Sequence, residues 1–106
     1  MVEDQPKPIW NPLPKQGTRG VDCRVLLARD GIFLANLRFS ADATIDRHSA
    51  PHEIDVICID GAGFTSVGEE AFPIHAGQTV RWPRDIDHCL WTVGSEMETL
   101  MVERYE

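Results

Sequence analysis

Beyond residue 20 the chain is a succession of short apolar-rich runs, each closed by turn residues. VDCRVLLA leads through Arg29-Asp30-Gly31 into IFLANLRF, and a D-G pair between two such runs predicts a hairpin. TIDRH, EIDVICI and GFTSV come next, separated by Ser49-Ala50-Pro51 and Asp60-Gly61. AFPIH, QTVRW, HCLWT and METLMVERY then follow Gly68-Glu69-Glu70, Ala76-Gly77, Pro83-Arg84-Asp85 and Val93-Gly94-Ser95. No window sustains a helical apolar stripe. The runs recur roughly every 8–12 residues, the spacing of an all-β sandwich or barrel. The last run, METLMVERY, tolerates a helix, but its alternation after a turn predicts an edge strand.

The first twenty residues differ. They hold four of the seven prolines (Pro6, Pro8, Pro12 and Pro14) and little periodicity, which predicts an extended arm over 1–20 ahead of a β domain over 21–106. Trp10 is an aromatic anchor that would pin the arm to the domain or to a second subunit. A length of 106 residues fits one core.

Charge narrows the function classes. Ten Lys+Arg against 17 Asp+Glu leave a net charge of -7, without the basic footprint that nucleic acid or an anionic membrane surface needs. No apolar stretch approaches the ~20 residues of a bilayer span. The opening MVEDQPKPIW is acidic and proline-broken, unlike a secretory signal. Cys23, Cys58 and Cys89 lack C-x-x-C spacing and are odd in number, which fits a reducing compartment. The expectation is a cytoplasmic protein. Cys58, inside VICI, reads as a small buried hydrophobe; Cys89 neighbours His88, but strand alternation points the two to opposite faces.

Four histidines carry the candidate chemistry. His48 and His52 flank a proline turn, His88 opens a later strand, and His75 precedes a turn and reads as a surface residue. Residues 42–92 resemble the two linked motifs of the cupin superfamily of small β-barrels. His48 stands at the leading histidine position of the first motif and Gly61 at its closing glycine. In the second, Gly77 is followed after five residues by Pro83, and that after four by His88. Fifteen residues separate Gly61 from Gly77, similar to the short inter-motif loop of compact microbial members. The resemblance implies an all-β jelly-roll barrel, a double-stranded β-helix of antiparallel strands, which commonly pairs as a homodimer.

It also implies a divalent metal held by three histidines and one carboxylate or glutamine. Here the chain departs: Ala50 stands at the second histidine position and Ile54 at the carboxylate position. Asp42 and Asp85 replace glycines, and Thr92 an asparagine. Only His48 and His88 match as ligands, and a catalytic centre wants three. His52 is the expected third, four residues from His48. Glu53 and Asp55 are further candidates, although an ungapped strand points them away from Ile54, Val56 and Cys58. The ion would be Zn, Ni, Fe or Cu, polarising a carbonyl or carboxylate of a small substrate. The alternative is a metal-free sensor or binding module for a small organic ligand, its pocket lined by Ala50, Ile54, Val56, Leu90 and Thr92. In it, His48 and His88 serve as hydrogen-bonding groups. Trp82 and Trp91 read as packing, and Glu69-Glu70 as a solvated tip. There is no G-x-S-x-G elbow, and Gly61-Ala62-Gly63 precedes a strand instead of a phosphate-binding helix.

Overall fold

The computed structural model describes residues 1–105 and contains eight strands and no helix. They are β1 (Asn11–Pro12), β2 (Thr18–Arg29), β3 (Ile32–His48), β4 (Glu53–Val67), β5 (Glu70–His75), β6 (Thr79–Trp82), β7 (His88–Trp91) and β8 (Met97–Arg104). With no helix present, none is long and apolar enough to cross a membrane.

The expected hairpin is β2–β3, with Arg29 opposite Ile32. Asp30 and Gly31 both have positive φ, 54° and 77°, the backbone of a type I′ turn, which matches the twist of the flanking strands. Elsewhere the runs are longer than their pattern indicates. IFLANLRF and TIDRH are one strand, β3; EIDVICI and GFTSV are another, β4. Each turns a corner without leaving its ladder, at Asp42 (φ 61°) and at Gly61 (φ 75°). Asp42 and Asp85 (φ 63°) both lie in the left-handed region, which aspartate tolerates better than most side chains. The two glycine-to-aspartate departures therefore keep the backbone that the turns require. Asp42 also accepts a hydrogen bond from the Gly94 amide through Oδ1, at 2.9 Å.

The corners allow closure. The first half of β3 pairs with β8 and its last third with β7. Likewise β4 pairs with β8 over Glu53–Gly61 and with β7 over Phe64–Val67. The circuit β3–β7–β4–β8 closes on itself, with every pairing antiparallel. β8 is thus an inner strand with a partner on each side, not the edge that its sequence suggests. β6 and β5 extend the sheets from β4, and β1 extends from β2.

Alternation sends Ala35, Leu37, Phe39 and Ile45 from β3, Ile54, Val56 and Cys58 from β4, and Met97 and Met101 from β8 into one core. The arm is not detached. Asn11 and Pro12 pair with Cys23 and Asp22 of β2. Two guanidinium groups of its own chain lie over the Trp10 ring, Arg24 at 4.4 Å and Arg38 at 4.3 Å from the centroid, a double cation–π contact that clamps the arm. Strand structure already begins at Thr18, inside the expected arm.

A Cβ at Gly61 would overlap the Glu96 carbonyl, at a φ that L residues rarely adopt. Gly61→Ala should cost about 2 kcal/mol or more, read as a lower urea midpoint. Gly94→Ala, also at positive φ but with open space around it, should cost about 1 kcal/mol.

A histidine pair beside an apolar cavity

His48 ends β3 and His88 begins β7, and the two are register partners across that ladder. Their Nε2 atoms are 3.1 Å apart and their rings meet edge to face. His48 Nδ1 donates to the Asp46 carbonyl at 2.7 Å, which leaves Nε2 as an acceptor for Nε2–H of His88. His88 is fully buried and stacks on Trp82, with centroids 3.9 Å apart and an interplanar angle of 10°. Its Nδ1 has no hydrogen-bond partner, although the Ile86 backbone favours the charged ring. Trp82 is fixed in turn: its Nε1 donates to Thr65 Oγ1 at 3.0 Å, and Thr65 Oγ1 donates to the Cys89 carbonyl at 2.9 Å.

Desolvation by burial dominates the basicity of both rings. It lowers His48, and with the neighbouring His48 it lowers His88 to about 4. Both imidazoles are therefore neutral near pH 7.

His52 does not join the pair. Its Nε2 is 2.6 Å from Glu103 Oε1, with both side chains largely buried. Tyr105 packs against its ring at 4.3 Å and donates to the same carboxylate at 3.3 Å. Glu53 and Asp55 lie on the face opposite Ile54 and Val56, because β4 runs ungapped from Glu53 to Cys58. Asp55 is held by Arg81 at 2.9 Å and Arg104 at 2.7 Å. Hydrogen bonds from Arg81 first, then Arg104, outweigh burial and keep its carboxyl below the ordinary range.

Beside the pair lies a cavity of about 330 Å³, at the small end for ligand sites. Its walls are mostly apolar: Phe33, Ala35, Leu37, Ile45, Ala50, Ile54, Trp82 and Met101. Five polar residues, Lys15, His48, Ser49, His52 and Glu103, also line it, and of these His52 and Glu103 are hydrogen-bonded to each other. Of the five pocket residues expected, Ala50 and Ile54 are in the lining. Val56 and Leu90 are fully buried core instead, and Thr92 braces a corner, accepting from the Ala43 amide at 2.9 Å and donating to the Ser40 carbonyl at 2.6 Å. A wider cleft of about 480 Å³ lies elsewhere, bordered by Asp22, Arg38, Asp60, Glu96 and Glu98. Neither it nor a groove of about 390 Å³ over Phe72, Pro73, Ile74 and Val80 is lined by a histidine, so the cavity beside the pair is the candidate site.

No family model and no curated protein matches the chain. Solved structures do. The polyketide cyclase RemF from Streptomyces resistomycificus superposes with a TM-score of 0.89 at 16% identity, over 100% of this chain and 81% of that one. Rru_A2000 from Rhodospirillum rubrum, a cupin-2 domain, gives 0.85 at 15% identity, over 100% and 75%. The SPY1581 protein of Streptococcus pyogenes gives 0.75 at 24% identity, over 87% and 78%. This is a small cupin-fold protein.

Cupins of the resembled type hold a metal, so the donor set can be tested for fit. Two imidazole nitrogens converge, but a third donor does not join them: His52 is engaged by Glu103, and Asp55 by two arginines. Among the described residues no group of three or more His, Cys, Asp or Glu side chains is placed to share an ion. The donor set of this cupin barrel does not fit the expected centre.

Among the wall residues that sequence pattern passed over are Glu103, Leu13 and Lys15. Glu103 shares the inward parity of Met97, Thr99 and Met101, and a carboxylate on a core-facing position was the available signal. Leu13 and Lys15 come from the arm, and no local pattern places them at the cavity.

The lowered basicity of the pair sets a pH dependence. An unfolded histidine titrates near 6.5, His88 in the fold at about 4. Between these values the unfolded chain binds the proton and the fold does not. Stability is then complete above about pH 6.5 and should fall by about 2–3 kcal/mol as pH drops to 4. Urea denaturation across that range checks it, and His88→Gln should retain only the smaller His48 part.

Proposed function

We propose that this cupin barrel is a binding module for a compact, largely apolar organic molecule, with no metal ion required. The observation that carries the reading is the cavity of about 330 Å³, lined mostly by apolar side chains with a few polar ones among them. Such a site gains affinity from desolvating the apolar body of a ligand and orientation from a few hydrogen bonds. His48 and His52 are the orienting groups. With His48 neutral and its Nδ1 bonded to Asp46, its Nε2 exchanges partners between His88 and a ligand hydroxyl.

The test is binding of 2-naphthol, followed by quenching of tryptophan emission, since Trp82 lines the cavity. Ala50→Phe places a ring in the cavity and should weaken binding about tenfold or more while leaving the melting temperature within a few degrees. Binding that is unchanged in this variant would place the ligand elsewhere.

One observation favours the metal-bound alternative, the convergence of the His48 and His88 Nε2 atoms. Elemental analysis of protein purified without chelators separates the two. Our reading expects a substoichiometric metal content; one ion per chain, lost in both His48→Ala and His88→Ala, would overturn it.

A further inference from the structure

The N-terminal arm takes part in the cavity. Leu13 packs against the core and donates its amide to the Val21 carbonyl at 2.9 Å, and both Leu13 and Lys15 line the cavity. The arm is tied along β2 at successive points. Arg29 pairs with Glu3 at 2.7 Å, the Trp10 ring packs under the Arg24 and Arg38 guanidiniums, and Asn11 is register partner to Cys23. Cys23 also lines the cavity, so the arm lies beside the thiol. The wall that the arm completes has a charge of its own. Lys15 lies close enough to His48 and His88 to act on both rings, against the opposite pull of Asp87 and Glu103 on His48, and no carboxylate among the described residues forms an ion pair with it. Glu103, the acidic group of the lining, already accepts from His52 and Tyr105. The lining therefore holds two formal charges: a Glu103 carboxylate whose Oε1 is already hydrogen-bonded within the protein, and a Lys15 ammonium with no ion-pair partner, which is the one left to meet a ligand.

We infer that the N-terminal arm is a wall of the ligand site and that Lys15 selects ligands whose polar end is an anion, a carboxylate above all. This rests on the binding function proposed above and goes further by naming the ligand class. An ammonium on a flexible stem acts as a point charge, so its preference is for charge more than for geometry. Trp10 positions that charge at a distance: its clamp holds the strand pairing that puts Leu13 and Lys15 at the cavity.

The experiment compares 2-naphthoate with 2-naphthol, the same two rings with and without the anion. Wild-type protein should bind the naphthoate more tightly at low salt, and added salt should erode the difference. Lys15→Gln should weaken naphthoate about fivefold, the effect of a partly exposed ion pair, and change naphthol less than about twofold. Trp10→Ala should weaken both and speed alkylation of Cys23 by iodoacetamide, while the buried Cys58 stays protected as evidence that the barrel is folded. Equal loss of both compounds in Lys15→Gln, or no change in either, overturns the charge selection. Unchanged Cys23 alkylation and unchanged affinity in Trp10→Ala overturn the arm as a wall. Failure of wild-type protein to bind either compound overturns the binding function itself, a result distinct from both.

Discussion

Closure of the barrel is the constraint on which the rest depends. β7 and β8 each pair with both β3 and β4, which is possible only because β3 and β4 turn corners and serve two sheets apiece. The closed circuit removes strand edges from the centre of the molecule, where unpaired amides would be costly. It also fixes the inward set of side chains, because register in a closed ladder cannot slip by one residue without turning a strand inside out. Asp42 and Gly61 make the corners, and the left-handed backbone at both is a requirement of topology.

The site inherits its geometry from this closure. His48 and His88 meet because the β3–β7 ladder ends on them. Burial makes both rings neutral, and stacking on Trp82 holds His88 in place. The same parity that buries Ile54 and Val56 sends Asp55 outward to Arg81 and Arg104. A carboxylate that a metal would need is thereby committed to the outer surface. The cavity is left mostly apolar, with a few hydrogen-bonding groups in its lining, a composition suited to orienting a small molecule.

The arm shows how a segment without periodicity acquires a structural place. Its prolines keep it extended, and an extended chain beside an open strand can pair with it. Trp10 adds a clamp built from two arginines of β2 and β3. The clamp is intrachain.

Local pattern was sufficient for much of this. Alternation identified the strands and the inward positions Ile54, Val56 and Cys58, and Asp30-Gly31 specified its turn, because these properties depend on neighbours within a few residues. The spacing of Gly61, Gly77, Pro83 and His88 was enough to indicate the cupin fold. It could not show that β8 is enclosed, since an inner and an edge strand have similar alternation. Nor could it separate His52 from the histidine pair. His52 is four residues from His48, but what it bonds is Glu103, on β8 and fifty-one residues away. Residue types and parity determined which side chains were available inside the barrel. Only the tertiary structure decided which of them meet, because hydrogen bonds and ion pairs form between atoms brought together by ladder registers, and those registers belong to the closed sheet.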